Sequence, residues 1–185
     1  VMCAIAAFMP TTEAATDGTD YTVDGNTATV MTADGLAYFA YGGDGYNTDV
    51  DTIIIADDIG TDSNKSVWYT FNKPITIVAA DNLSEKPAVY GQFQFWDGPV
   101  TIEEIEIHGD GYAVSSAVSD ISITDCLIDA TNSSANGVAI DLDAAPSDED
   151  INNYIAIADN NEFVNYATAV SVYNFEDPDI TYYFN

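Results

Sequence analysis

The only histidine of the chain, His108, stands in Ile107-His108-Gly109-Asp110-Gly111, a bend that puts an imidazole two residues from a carboxylate. Groups of that kind hydrogen-bond a ligand or exchange a proton with it, which makes His108 and Asp110 candidate ligand-binding residues. Trp96 is a third candidate. It closes the run Ala88–Trp96, whose alternation sends Phe93 and Phe95 to one face, the core, and leaves the indole at a bend where a sugar ring can stack. The carboxylates point to different chemistry. Asp141 and Asp143, with Asp148 and Asp150 in Asp148-Glu149-Asp150, gather oxygens as a hard divalent cation requires, and Ca2+ is the one cofactor this pattern brings into view. Their spacing matches neither the EF-hand loop nor the glycine-rich nonapeptide repeat, and a solvated acidic loop has the same composition.

The charge balance narrows the partners. Three Lys, no Arg and 31 Asp plus Glu give a net charge of −28, and beyond Lys86 only His108 can become cationic. Such a surface repels phosphate backbones, so nucleic acid is excluded, and it disfavours anionic lipid headgroups. Paired carboxylates cleave a glycoside only at a defined separation. Among 31 acids such pairs arise by chance, and no residue is assigned a catalytic role.

What must position these groups is a repeat. Val100-Thr101-Ile102-x-x-Ile105-x-Ile107 returns as Ile121-Ser122-Ile123-x-x-Cys126-x-Ile128, and the same phase catches Ile53/Ile55, Ile75/Ile77, Ile155/Ile157 and Ile180/Tyr182. Successive starts lie 22, 25, 21, 34 and 25 residues apart. Two-residue alternation returning at a period in the twenties is the mark of a coiled parallel sheet, each turn laying a strand on the one before. The expected fold is an all-β parallel β-helix with Ile102, Ile105, Ile107, Ile121, Ile123, Cys126, Ile128, Ile155 and Ile157 in one core and Ile102 between Ile77 and Ile123. Second strands are expected at Ala88–Trp96, Tyr112–Val118, Gly137–Asp143 and Ala169–Tyr173, and the 34-residue spacing marks an acidic insertion, Asp141–Asn153. Asn160-Asn161 reads as a bend whose side chains reach the next rung.

The division expected is a signal-peptide remnant over 1–15, N-terminal strands and a capping helix over 16–51, and β-helix coils over 52–185. Val1–Met9 is apolar, followed by Pro10 and small residues, the composition of a secretory leader lacking its basic start; nine residues are too few for a membrane span. With the leader removed, Cys126 is the only thiol, a buried filler in the slot of Ile105. A hairpin is expected around Asp24-Gly25-Asn26. A helix follows, capped by Thr32, with Leu36, Phe39 and Ala40 on one face, stopped by Gly42-Gly43 and covering the first rung.

The capping helix running into Asp51-Thr52-Ile53-Ile54-Ile55, with Lys73-Pro74-Ile75-Thr76-Ile77, Val100-Thr101-Ile102-x-x-Ile105-x-Ile107 and Asn161-Glu162-Phe163 before Ala169-Val170-Ser171-Val172, resembles secreted right-handed parallel β-helix proteins of the pectate-lyase-like superfamily. The likeness covers roughly residues 30–185. It implies a right-handed solenoid and a secreted or cell-surface protein, bacterial or archaeal. Lyases of that superfamily imply carboxylate-held calcium and a basic residue that removes a proton beside a uronate, and its hydrolases imply clustered Asp with Gly-His and a basic clamp. This chain departs from both patterns, having no Arg and no Lys after position 86. The expected function is therefore an exported non-catalytic module: a rigid surface or adhesion scaffold whose partner is an extracellular polysaccharide or surface glycan. The alternative is the N-terminal piece of a polysaccharide lyase or glycoside hydrolase whose catalytic coils lie beyond residue 185. The aromatic end Ile180–Asn185 restarts the motif without a cap, so truncation at the C-terminus and end-to-end self-association are expected.

Overall fold

The computed structural model describes residues 15–117, 120–130, 137–144, 155–174 and 181–184. Residues 1–14 (which hold Cys3 and nearly all of the expected leader), Asp148, Asp150, most of the acidic insertion, Ile180 and Asn185 lie outside the described residues. No helix among the described residues is long and apolar enough to cross a membrane.

The chain opens with an antiparallel hairpin, β1 (Tyr21–Asp24) and β2 (Thr27–Val30), turned at Gly25 with φ +61°. Thr32 then caps α1 (Ala33–Phe39): its Oγ1 accepts from the Gly35 N–H at 3.2 Å, with Asp34 in the first turn. Leu36 and Phe39 are buried in the main core, and Tyr38 stacks on Tyr21 at 4.6 Å between ring centres. The helix thus covers apolar surface as expected. The strand edge, however, is closed by β1, which runs antiparallel outside β2 while β2 pairs in parallel with the first coil.

Acid should loosen this cap first. Asp51 accepts two hydrogen bonds from Asn26 Nδ2, at 2.7 and 2.9 Å, and one from Thr52 Oγ1, and these hold its carboxyl below the ordinary value. Asp20 is lowered likewise by the Thr16 N–H and by Thr32 Oγ1. A depressed folded-state pKa supplies stability above the unfolded value that disappears as pH falls through the folded one. The expected loss therefore begins near pH ~4 and deepens below it. Hydrogen exchange over residues 16–55 between pH ~5 and ~2 should show it, with Asn26→Ala and Thr32→Val flattening the dependence; equal slopes in all three proteins would refute the assignment.

The coils follow. The first holds β3 (Thr52–Ile55), a 3-10 turn at Asp62–Asn64 and β4 (Trp68–Asn72). The second holds β5 (Ile75–Ala79), β6 (Ala88–Tyr90) and β7 (Gln92–Asp97), and the third β8 (Val100–Glu103), β9 (Glu106–His108) and β10 (Tyr112–Ser116). The fourth holds β11 (Ile121–Thr124), β12 (Leu127–Asp129) and β13 (Val138–Ala144), the fifth β14 (Ile155–Asp159), β15 (Glu162–Val164) and β16 (Thr168–Asn174), and β17 (Thr181–Phe184) lies on β14. They stack into three sheets: β2-β3-β5-β8-β11-β14-β17 with β1 at the edge, β6-β9-β12-β15, and β4-β7-β10-β13-β16. The protein is a parallel β-solenoid, and four of its coils carry all three strands.

Its core is a set of vertical columns. Ile53 pairs with Ile77, Ile77 with Ile102 and Ile102 with Ile123, all essentially inaccessible to solvent. Val89, Ile107, Ile128 and Phe163 form a second column, and Tyr69, Phe93 and Val114 a third. Phe93 and Phe95 are fully buried, as alternation requires.

One phase is corrected. Ile155 and Ile157 do not continue the column: Ala156 and Ala158 pair with Ile121 and Ile123, whereas Ile157 pairs with Ser122. The corner decides this register. Glu104, Asp125 and Asn160 all take the left-handed conformation, with φ 58°, 54° and 54°, at the turn between the first and second sheets. Counting back two residues from each gives Ile102, Ile123 and Ala158. The inward residues after that turn are Ile105 and Cys126, followed by Asn161, whose Oδ1 accepts from the Cys126 N–H at 2.9 Å while Nδ2 donates to the Ile123 carbonyl at 2.8 Å.

Cys126 is a buried filler, and burial in apolar surroundings pushes its thiol up to about 11. In a Cys3→Ser background it is expected to resist thiol reagents near pH 8 until the chain unfolds. Titration with a chromogenic disulfide, with and without denaturant, checks this; rapid native reaction would place the thiol at the surface.

Candidate functional site

Stacking carboxylates about 4.8 Å apart is costly without cations, and this fold supplies neutral donors from other rungs. Asn26 donates to Asp51, Thr124 to Glu103 at 3.2 Å, Asn165 to Asp129 at 3.1 Å, Asn160 to Asp125 and Ser66 to Asp110 at 3.1 Å. Among the described residues, no group of three His, Cys, Asp or Glu is placed to hold a metal ion.

His108 lies at the end of β9, in register with Tyr90 below it and Asp129 above it. The Tyr90 ring stacks on the imidazole at 4.7 Å and 16°. Glu106 Oε2 lies 3.3 Å from Nε2 and Asp129 Oδ2 lies 3.7 Å from Nδ1, so both ring nitrogens face carboxylates. Lys65, buried on the coil below, pairs with Asp62 at 2.9 Å and stands 5.9 Å from the centre of the Tyr90 ring. Ammonium, phenol, imidazole and carboxylate thus stand in a row across four successive coils. With its side chain 13% exposed, the imidazole meets solvent only along an edge. Tyr166 closes it from the far coil, its hydroxyl donating to the Gly109 carbonyl at 3.3 Å and pushed well above the usual tyrosine value by burial.

Asp110 lies at the same corner. Its backbone N–H donates to the Lys65 carbonyl at 3.0 Å, and its carboxylate accepts from Ser66. Trp96 does not join them. It sits at the other end of β7, where the register against β4 slips between Phe71 and Asn72 so that Asp97, not Trp96, faces Asn72. A bulge of this kind re-aims a side chain, and the indole is 60% exposed as expected, although it stands within β7 and not at a bend. On that side of the solenoid Lys73 donates to the Tyr46 and Thr48 carbonyls at 3.0 and 3.3 Å and lies over the Tyr46 ring; desolvation lowers its ammonium below the ordinary lysine value.

The calcium residues divide. Asp141 lies on β13 between Ser115 and Ser171 of the adjoining coils, and Asp143 aligns with Tyr173 on β16. Asp148 and Asp150 are outside the described residues.

The sequence reading singled out neither Lys65 nor Tyr90 as a site residue. Tyr90 and His108 are 18 residues apart and His108 and Asp129 are 21 apart, so only loop lengths align them. The signal available was the repeat itself: each of the three ends a short strand whose central residue, Val89, Ile107 or Ile128, points inward. Searches of family models, curated proteins and solved structures give no match to this chain.

Proposed function

We propose that this chain is a non-catalytic, exported β-helix module of the pectate-lyase-like kind, a rigid scaffold at the cell surface that meets a polysaccharide or glycan. The observation that carries this reading is the unbroken register from β2 to β17, with apolar columns inside and carboxylates bridged by neutral donors outside. Such a stack resists bending, because each rung's inward residues are wedged between those above and below. Its charge of −28 keeps copies apart in dilute salt. Antibodies raised against the folded coils should label intact cells of the source; labelling only after lysis would overturn export.

A second reading, the N-terminal part of a polysaccharide lyase or glycoside hydrolase, draws support from His108 between Glu106 and Asp129. An imidazole held by two carboxylates is a competent proton-transfer group. The full-length protein, assayed on polyuronate and neutral glycans, separates the two readings: turnover lost in His108→Ala favours the enzyme, and glycan retention without turnover favours the scaffold.

A further inference from the structure

We infer that Asn82 is the acceptor of an N-linked glycan. Three triplets of the form Asn-x-Ser/Thr occur in the chain: Asn64-Lys65-Ser66, Asn82-Leu83-Ser84 and Asn132-Ser133-Ser134. Such triplets arise by chance, and placement in the fold tells an acceptor from a bystander. The third lies outside the described residues. The second stands on a corner that departs from the repeat. Between the first and second sheets, later coils turn in two residues: Glu104-Ile105, Asp125-Cys126 and Asn160-Asn161. In the second coil the same corner runs from residue 80 to residue 87, eight residues between β5 and β6. Its ends are held: the Ala80 N–H donates to the Ile55 carbonyl at 3.0 Å, and the Pro87 carbonyl accepts from the Glu106 N–H at 3.0 Å. Its tip is looser. The Leu83 N–H turns back to the Ala80 carbonyl at 3.2 Å, while Asn82 and Ser84 are exposed and their side chains hydrogen-bond to no described residue.

Glycan transfer needs that freedom at both positions. The transferase grips the triplet through the hydroxyl two residues on and brings the amide nitrogen to the anomeric carbon of a glycan carried on a polyisoprenyl phosphate or pyrophosphate. The bond from Nδ2 to the anomeric carbon forms, and the bond from that carbon to the phosphate oxygen breaks. The phosphate leaves with the electron pair, and one Nδ2 proton passes to a base of the transferase. Asn64 is placed differently. It ends the 3-10 turn, its Oδ1 accepts from the Thr61 N–H at 2.9 Å and from Thr61 Oγ1 at 3.2 Å, and the Ser66 hydroxyl is engaged by Asp110. A glycan on Asn82 projects from an insertion, so it adds bulk without displacing a strand of the stack. This inference rests on the export reading, because N-linked glycans are attached to proteins that leave the cytoplasm.

The test takes the full-length protein from cells of the source and reads its peptides by mass spectrometry, with antibody labelling of intact cells run beside it. Cleavage after aromatic residues puts Asn64 on the peptide 47–68 and Asn82 on the peptide 72–90. A glycan mass is expected on the second peptide and not on the first. Asn82→Gln and Ser84→Ala should each remove it, Ser84→Thr should keep it, and Asn64→Gln should leave it unchanged. Positions 82 and 84 are exposed and tolerate these changes, so a lost glycan is not a lost fold. Labelled cells with a bare 72–90 peptide, or with the added mass on 47–68 instead, would overturn the inference and leave export standing. Labelling only after lysis, with Asn82 bare, would overturn both. A modification that survives Ser84→Ala would also sink the inference, since the sugar would then not be placed by the triplet.

Discussion

Replacing Ile102 by Asp is expected to abolish cooperative folding. Ile102 has no accessible surface and lies between Ile77 and Ile123 in the central column, with the Ile102 carbonyl facing the Cys126 thiol of the next coil. A carboxylate there would sit among buried apolar side chains, and an unpaired buried charge costs several kcal/mol on top of the lost apolar contact. Domains have only about 5–15 kcal/mol in hand. In a solenoid the defect also uncouples the coils on either side, because each is stabilised by its neighbours. Far-UV circular dichroism with urea titration is the measurement. Thr101→Asp, one residue away on the outward side between Thr76 and Ser122, should cost no more than about 1 kcal/mol. Comparable loss in the two variants would mean that the inward and outward faces are wrongly assigned.

Asn161→Ala should cost about 2–3 kcal/mol. The side chain accepts from the Cys126 N–H and donates to the Ile123 carbonyl, both on the preceding coil. Removing it leaves a donor and an acceptor unsatisfied at a corner where the fold turns sharply, with Asn160 beside it in the left-handed conformation. Asn161→Asp restores the acceptor but not the donor, so it should not rescue stability. Faster exchange of the Cys126 amide in Asn161→Ala would localise the loss to this corner, and a midpoint unchanged in urea would show that the ladder is dispensable.

The sequence alone determined the solenoid, the inward residues of the central coils and the capped helix. These are set by local regularities: a period of two along each strand, a coil period in the twenties, and Thr32 placed ahead of a short apolar stripe. The apolar pattern misled at Ile155/Ile157, where two isoleucines mimic the motif but the turn at Asn160-Asn161 fixes the register one residue away. Counting back five residues from Phe163, as Ile102 stands five before Ile107, yields Ala158. A small residue at the right offset outranks large ones at the wrong offset, because the left-handed turn tolerates no slip.

Only the tertiary structure decided the rest. The strands β6, β9, β12 and β15 are three residues long, too short for alternation to announce them, so the second face of each coil separated into two sheets only when stacked. His108 acquired Tyr90 and Asp129 as neighbours, and Trp68 acquired Tyr112, through loops whose lengths carry no periodic signal. Trp96 parted from His108 and Asp110 because all of β7 lies between them. Residues one coil apart are distant in sequence and adjacent in space, and which side chains share a surface depends on the summed lengths of the intervening bends.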